Sequence, residues 1–177
     1  MAFGWGIVST GKHPDIKIAP AIAAADGGDL VAVYSRDQDR AEAFAQKHDV
    51  RAAYSQLGDL LKDSRVDGVF VASPNALHAE HVGQAAAAGK HVLCEKPMAT
   101  TIADAVRMVH ACRRAGVTLG VAFNLRQHPA YIRARELVAA GRWGASCSPR
   151  RSGPSACAAA TAHRRVRRSR SGGTRRS

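Results

Sequence analysis

The sequence predicts a doubly wound parallel α/β sheet. Three observations carry that expectation: six short apolar runs of the kind buried on both faces, helical spacing between them, and no hairpin turn joining one run to the next. The first run, Phe3-Gly4-Trp5-Gly6-Ile7-Val8, predicts a buried strand, followed by a polar loop over residues 9–17 and an alanine-rich helix near residues 18–26. Leu30-Val31-Ala32-Val33-Tyr34 predicts the second strand, and Ala41, Phe44 and Ala45 give residues 40–48 one apolar helical face. Ala52-Ala53-Tyr54 predicts a short third strand. Leu57, Leu60 and Leu61 then stripe a helix near residues 56–63 at i, i+3 and i+4.

Val69-Phe70-Val71-Ala72 is the fourth predicted strand. A long helix from Asn75 to Ala88 follows, closed by Gly89, which tolerates the left-handed conformation common just past a helix end. His91-Val92-Leu93-Cys94 predicts the fifth strand. Thr101 is placed to cap a helix that runs to Arg114 and stops at Gly116 before a sixth strand over residues 117–123. A last helix over residues 129–140 opens on Pro129 and ends at Gly141, and beyond Gly144 periodicity disappears.

Composition bounds the function classes. The chain has 177 residues, 46% hydrophobic and 23% charged, which fits one domain with a real core. No apolar run approaches the roughly 18 residues that span a bilayer. The amino terminus lacks the pattern of a secretory signal, so a cytoplasmic location is expected, without membrane partners. Cys94, Cys112, Cys147 and Cys157 show no Cys-x-x-Cys spacing, which argues against a zinc site or a disulfide framework, and no metal is expected. The net charge of +12 is unevenly spread: all 14 acidic residues precede residue 137, and nine arginines follow residue 145. Residues 145–177, rich in Arg, Ser and Ala, hold too few large apolar residues for a core, and disorder is expected there.

In open parallel sheets ligands lie at the carboxyl ends of the strands, and the first strand-to-helix turn offers backbone N–H groups to phosphates. That turn is Ser9-Thr10-Gly11-Lys12-His13; Gly4-Trp5-Gly6 resembles the start of a glycine fingerprint but lies inside the strand. At the end of the second strand, where an acid would bind the adenosine ribose of NAD, the chain has Ser35 and Arg36. A hydroxyl and a guanidinium suit a 2′-phosphate, so NADP is favoured over NAD. Asp37 is either a ribose ligand or the cap of the next helix.

Residues 5–144 resemble the family that groups glucose-fructose oxidoreductase, inositol dehydrogenase and the MocA-type proteins. The resemblance rests on Gly89-Lys90-His91-Val92-Leu93-Cys94-Glu95-Lys96-Pro97, on Val66-Asp67-Gly68-Val69-Phe70-Val71-Ala72-Ser73-Pro74-Asn75-Ala76-Leu77-His78, and on Asn124-Leu125-Arg126-Gln127-His128-Pro129, in that family's arrangement. It implies a nicotinamide-dinucleotide-binding Rossmann domain over residues 1–124, a crossover helix over residues 125–144, and an oxidoreductase that moves hydride between the cofactor and a sugar, polyol or related hydroxyl compound. By the same resemblance Lys96 is the catalytic lysine beside the nicotinamide, aimed if the peptide before Pro97 is cis. Glu95 either contacts the ribose or holds Lys96, and Ser73, Pro74 and Asn75 line the dinucleotide cleft. His78 and Asn124 either touch the cofactor or satisfy local backbone groups. Arg126 either reaches substrate or forms a surface ion pair. Cys94, beside Glu95, reads as a small buried apolar residue.

The sequence also departs from that family. Ser9 stands where the family places a phosphate-loop glycine, and residues 13–17 form a long insert before the helix. The family continues past the position of Gly144 into a second α/β domain that supplies the substrate pocket and the homo-oligomer interface of intact relatives, whereas here an arginine-rich tail follows. A shift of reading frame in a GC-rich gene would produce such a change, and translating the other frames tests it. Two alternatives stay open: a truncated dinucleotide-binding fragment without turnover, and nonspecific nucleic-acid binding by the tail. The second is disfavoured, because the tail has no aromatic residue for base stacking.

Overall fold

The computed structural model describes residues 2–142, which fall into two units, one ending at Phe123 and one beginning at Asn124. The first unit holds a six-stranded parallel sheet in the order β3-β2-β1-β4-β5-β6, with β1 Phe3–Val8, β2 Gly28–Tyr34, β3 Ala52–Tyr54, β4 Gly68–Val71, β5 His91–Cys94 and β6 Leu119–Val121. This is the doubly wound order in which successive strands are added outward in opposite directions from β1 and β4, leaving a crevice at their carboxyl ends. The helices between strands are α1 Ala19–Ala23, α2 Gln38–His48, α3 Leu57–Lys62, α4 His78–Ala87 and α5 Ile102–Ala115.

Apolar side chains alternate across the strands into two cores. On one face Ile7, Val33 and Phe70 pack with Ala19, Ile22 and Phe44 from the helices after β1 and β2. On the other, Val8, Ala32, Val69 and Val71 meet Leu57, Leu60, Leu61, Val82, Ala85, Met108 and Cys112. Burial on both faces explains why β2 and β4 read as unbroken hydrophobic runs, with β4 buried at every position.

The helix ends follow their local chemistry. Asp37 accepts from the Arg40 N–H and Thr101 from the Asp104 N–H, each capping the helix it precedes. Gly89 and Gly116 take positive φ angles of 71° and 68° just past α4 and α5. The expected loop over residues 9–17 is corrected. The chain turns helical at Lys12, and Pro14–Ile18 forms a π-helical segment that runs on into α1, which ends at Ala23. Pro14 suits a first turn because it needs no acceptor, and Asp15 is fastened to α2 by Lys47 at 2.8 Å and His48 at 2.7 Å, contacts too distant in sequence to predict. The predicted helix from Asn75 to Ala88 opens as a 3-10 turn, Asn75–Leu77, before α4, and the sixth strand shrinks to three residues.

Among the described residues, the second unit holds a 3-10 turn, Asn124–Gln127, and a helix α6, Pro129–Ala139, whose cap His128 accepts from the Ala130 N–H. The tail over residues 145–177, with the disorder expected of it, lies outside the described residues, as do Cys147 and Cys157.

Candidate functional site

The loop after β1 keeps a glycine-like shape without the glycine. Ser9 has φ 120°, in the region where side chains are strained, and its N–H donates to the Tyr34 carbonyl at 2.9 Å. Its hydroxyl accepts from the Gly11 N–H at 3.3 Å, so the loop closes on itself through residues 9–11. Thr10 is half-buried, while Gly11 and Lys12 stand exposed at the start of the helix. The glycines inside β1 have another purpose. A Cβ on Gly4 would run into the Arg65 carbonyl, and one on Gly6 would press Leu60 at 3.0 Å, so both are packing positions.

At the end of β2, Ser35 is buried. Its N–H donates to the Tyr54 carbonyl at 3.1 Å, and its hydroxyl lies 3.4 Å from the Asp37 N–H. Of the two readings open for Asp37, the structure supports the cap: its Oδ1 accepts from the Arg40 N–H at 3.1 Å. Arg36 lies exposed between them.

The loops after β4 and β5 are tied together by a histidine. His78 is fully buried; its Nδ1 faces the Pro97 carbonyl at 3.0 Å and its Nε2 the Ser73 carbonyl at 2.8 Å. His81, one turn along α4, reaches the Ser73 hydroxyl at 2.9 Å and meets the Tyr34 ring edge-on at 6.2 Å. Burial lowers the pKa of His81, which favours its neutral ring. Pro74 and Asn75 remain exposed beside buried Ser73.

After β5, Glu95 is largely buried, and its carboxylate accepts from two sides: from His13 Nε2 at 2.8 Å and from the Lys96 N–H at 2.9 Å. Lys96 and Pro97 are exposed, and the peptide between them is cis. Burial pushes the Cys94 thiol up to about 12, matching its reading as a buried apolar residue.

The fold thus gathers Ser9, Thr10, Gly11, Lys12, Ser35, Arg36, Ser73, Pro74, Asn75, Glu95, Lys96 and Pro97 along the carboxyl edge of one sheet, with His78 beneath them. Asn124 and Arg126 belong to the second unit, in its 3-10 turn. Sequence reasoning missed His13 as a partner of Glu95, because the two are 82 positions apart. It also missed His81, although the spacing of His78 and His81 on an otherwise apolar face of α4 was a usable signal. No cluster of metal-ligating side chains occurs among the described residues, and no helix there is long and apolar enough to cross a membrane.

Comparisons with known proteins identify relatives of this fold. The chain is 39% identical over 140 residues to the 1,5-anhydro-D-fructose reductase of Ensifer adhaerens, covering 79% of this chain and 42% of that protein. It is 40% identical over 135 residues to D-xylose 1-dehydrogenase (NADP(+)) 2 of Haloferax volcanii, covering 76% and 41%. Among solved structures, KijD10, a 3-ketoreductase from Actinomadura kijaniata in complex with TDP-benzene and NADP, superposes with a TM-score of 0.75 at 30% identity, over 80% of this chain and 44% of that one. The chain therefore spans about two fifths of the length of these curated relatives. Residues 3–123 match the oxidoreductase family with an NAD-binding Rossmann fold, and the chain belongs to that Gfo/Idh/MocA family.

Proposed function

We propose that the chain binds NADP in preference to NAD along the carboxyl edge of its sheet, and that Lys96 serves at the reacting hydroxyl of a sugar, polyol or related compound. The observation that carries this reading is the convergence on one edge of the residue 9–12 loop, the Ser35–Arg36 strand end and the Glu95-Lys96-Pro97 turn.

The donor set fits such a cofactor. The Ser9 and Gly11 amides are bonded within the protein, so the Thr10 and Lys12 amides and the exposed Lys12 ammonium are the groups that suit a pyrophosphate. At the end of β2 the Asp37 carboxylate is occupied in capping α2. That leaves the Ser35 hydroxyl and the exposed Arg36 guanidinium to meet a 2′-phosphate. When bound, the nicotinamide accepts or gives up hydride. The chain's own contribution is positional and electrostatic: Ser73, Pro74 and Asn75 wall the crevice, and Glu95 holds the Lys96 backbone. An ammonium at Lys96 orients a substrate hydroxyl and stabilises alkoxide character on its oxygen. The relatives that act on 1,5-anhydro-D-fructose and D-xylose support a carbohydrate-like substrate.

Calorimetric titration of the purified chain with NADPH and with NADH tests the reading, repeated with Arg36→Ala. Loss of a charge-assisted phosphate contact should weaken NADPH roughly tenfold or more and leave NADH nearly unchanged. Equal weakening of both cofactors, or binding of neither, would refute it. Steady-state assays with D-xylose and 1,5-anhydro-D-fructose, run beside the titration, test the hydride transfer itself.

A further inference from the structure

We propose that His13 is a positioning residue of the dinucleotide site, fixing the Glu95 carboxylate and, through it, the peptide of Lys96. The inference rests on the cofactor reading above and assigns a role within that same edge.

His13 has no local duty for its side chain. It stands at the cap position of the π-helical segment Pro14–Ile18, yet makes no capping hydrogen bond. Instead the ring leaves its own loop, and Nε2 meets Glu95 Oε1 at 2.8 Å. The loop of His13 follows β1 and Glu95 follows β5, with β4 between them in the sheet, so this contact spans the carboxyl end of β4 beside the crevice between β1 and β4. An ionised carboxylate can only accept, so Nε2 carries the hydrogen. The neutral Nε2–H tautomer and the imidazolium both supply it, and the contact needs no change of charge on His13.

Glu95 is anchored from behind. Its N–H donates to the Val71 carbonyl at 2.9 Å, and its Oε2 accepts the Lys96 N–H at 2.9 Å. With one oxygen held by His13 and the other by Lys96, the plane of the carboxylate is set. A carboxylate offers about four acceptor positions, and two remain. Those two suit the vicinal hydroxyls of a ribose, which donate in pairs. Without His13 the carboxylate retains only the Lys96 N–H and is free to rotate about its side-chain torsions, which loosens its hold on a hydroxyl ligand and on the Lys96 turn together.

The test uses the 177-residue chain, titrated with NADPH by calorimetry, as His13→Ala, His13→Gln, Glu95→Ala and the His13→Ala/Glu95→Ala double variant. Each is first checked for an unchanged thermal midpoint. Removal of one hydrogen bond predicts a loss of about three- to tenfold in NADPH affinity for His13→Ala. His13→Gln, whose amide nitrogen replaces Nε2, should return to within about twofold of the unaltered chain, since it restores the one hydrogen bond removed. In the Glu95→Ala background, which leaves His13 no partner at that position, His13→Ala should add little further loss, because the two residues act as a unit. A structural effect of the loop alone would not shift the Lys96 amide resonance in a 1H–15N spectrum, whereas release of the carboxylate should. Unchanged or tighter NADPH binding by His13→Ala, losses that multiply in the double variant, or a stationary Lys96 amide would overturn the assignment. Absence of NADPH binding in the unaltered chain would instead overturn the cofactor reading beneath it, while the Lys96 resonance still reports on the contact itself.

Discussion

The two ends of the sheet use their polar groups differently. At the amino ends of the strands, polar side chains are spent on neighbouring backbone and on one another. Asp67 accepts from the Gly4 N–H at 2.7 Å, Lys90 donates to the carbonyls of Val66 at 2.7 Å and Asp63 at 3.1 Å, and Asp63 takes Arg65 and the Tyr54 hydroxyl. At the carboxyl ends Lys12, Arg36, Asn75 and Lys96 stand exposed, while buried or half-buried His78 and Glu95 hold the backbone beneath them and His81 holds the Ser73 hydroxyl. One end closes the fold, and the other presents a supported row of donors. Substitutions at the amino end should therefore register in stability, and those in the exposed row should barely do so.

The largest effect is expected for Gly4→Ala, where a new Cβ meets the Arg65 carbonyl and the backbone must move. A loss of roughly 3 kcal/mol in urea denaturation is expected, and a variant as stable as the parent would break the comparison. Asp63→Asn comes next, at about 1–2 kcal/mol after allowance for its half-exposed arginine partner. Its pH dependence has a definite sign. The Arg65 guanidinium holds the Asp63 carboxyl down to about 2 from an ordinary 3.8, so the stabilisation is complete above pH 3.8 and is lost as the pH falls towards 2. Denaturation of parent and variant across that window should converge at its acid end.

At the carboxyl end the effects shrink and one changes sign. Ser9→Gly should stabilise by up to about 1 kcal/mol, because glycine adopts φ 120° without strain and only a long 3.3 Å contact to Gly11 is given up. A destabilised Ser9→Gly would mean that the hydroxyl, and not the backbone shape, sets the loop. The smallest effect is expected for Lys96→Met, within about 0.5 kcal/mol of the parent, because an exposed side chain away from packing carries little stability. A larger loss there would erase the distinction between the two ends.

The elements were legible where burial dictates composition. β2 and β4 announce themselves because both faces are covered, and Thr101, Gly89 and Gly116 mark helix ends through local backbone chemistry. The π-helical segment was not legible, since Asp15 is held by Lys47 and His48 from another helix. Nor was the backbone of Ser9, whose positive φ is imposed by its place between β1 and β2 and is disfavoured by the residue itself. At the candidate site, the strand-end residues followed from topology plus motif, and the two readings of Asp37 needed coordinates to separate them. His13 and Glu95 became neighbours only when strand order was known, because sequence spacing carries no record of which loops share an edge.

The thiol of Cys94 has a consequence for the durability of this edge. It lies directly before Glu95, is wholly enclosed, and stays protonated until strongly alkaline pH. Peroxides and alkylating reagents attack the thiolate and need access to it, and Cys94 provides neither. The sulfur directly before Glu95 thus stays outside the oxidant chemistry of its surroundings. Iodoacetamide, added to the folded chain, should leave Cys94 unmodified until the sheet itself opens.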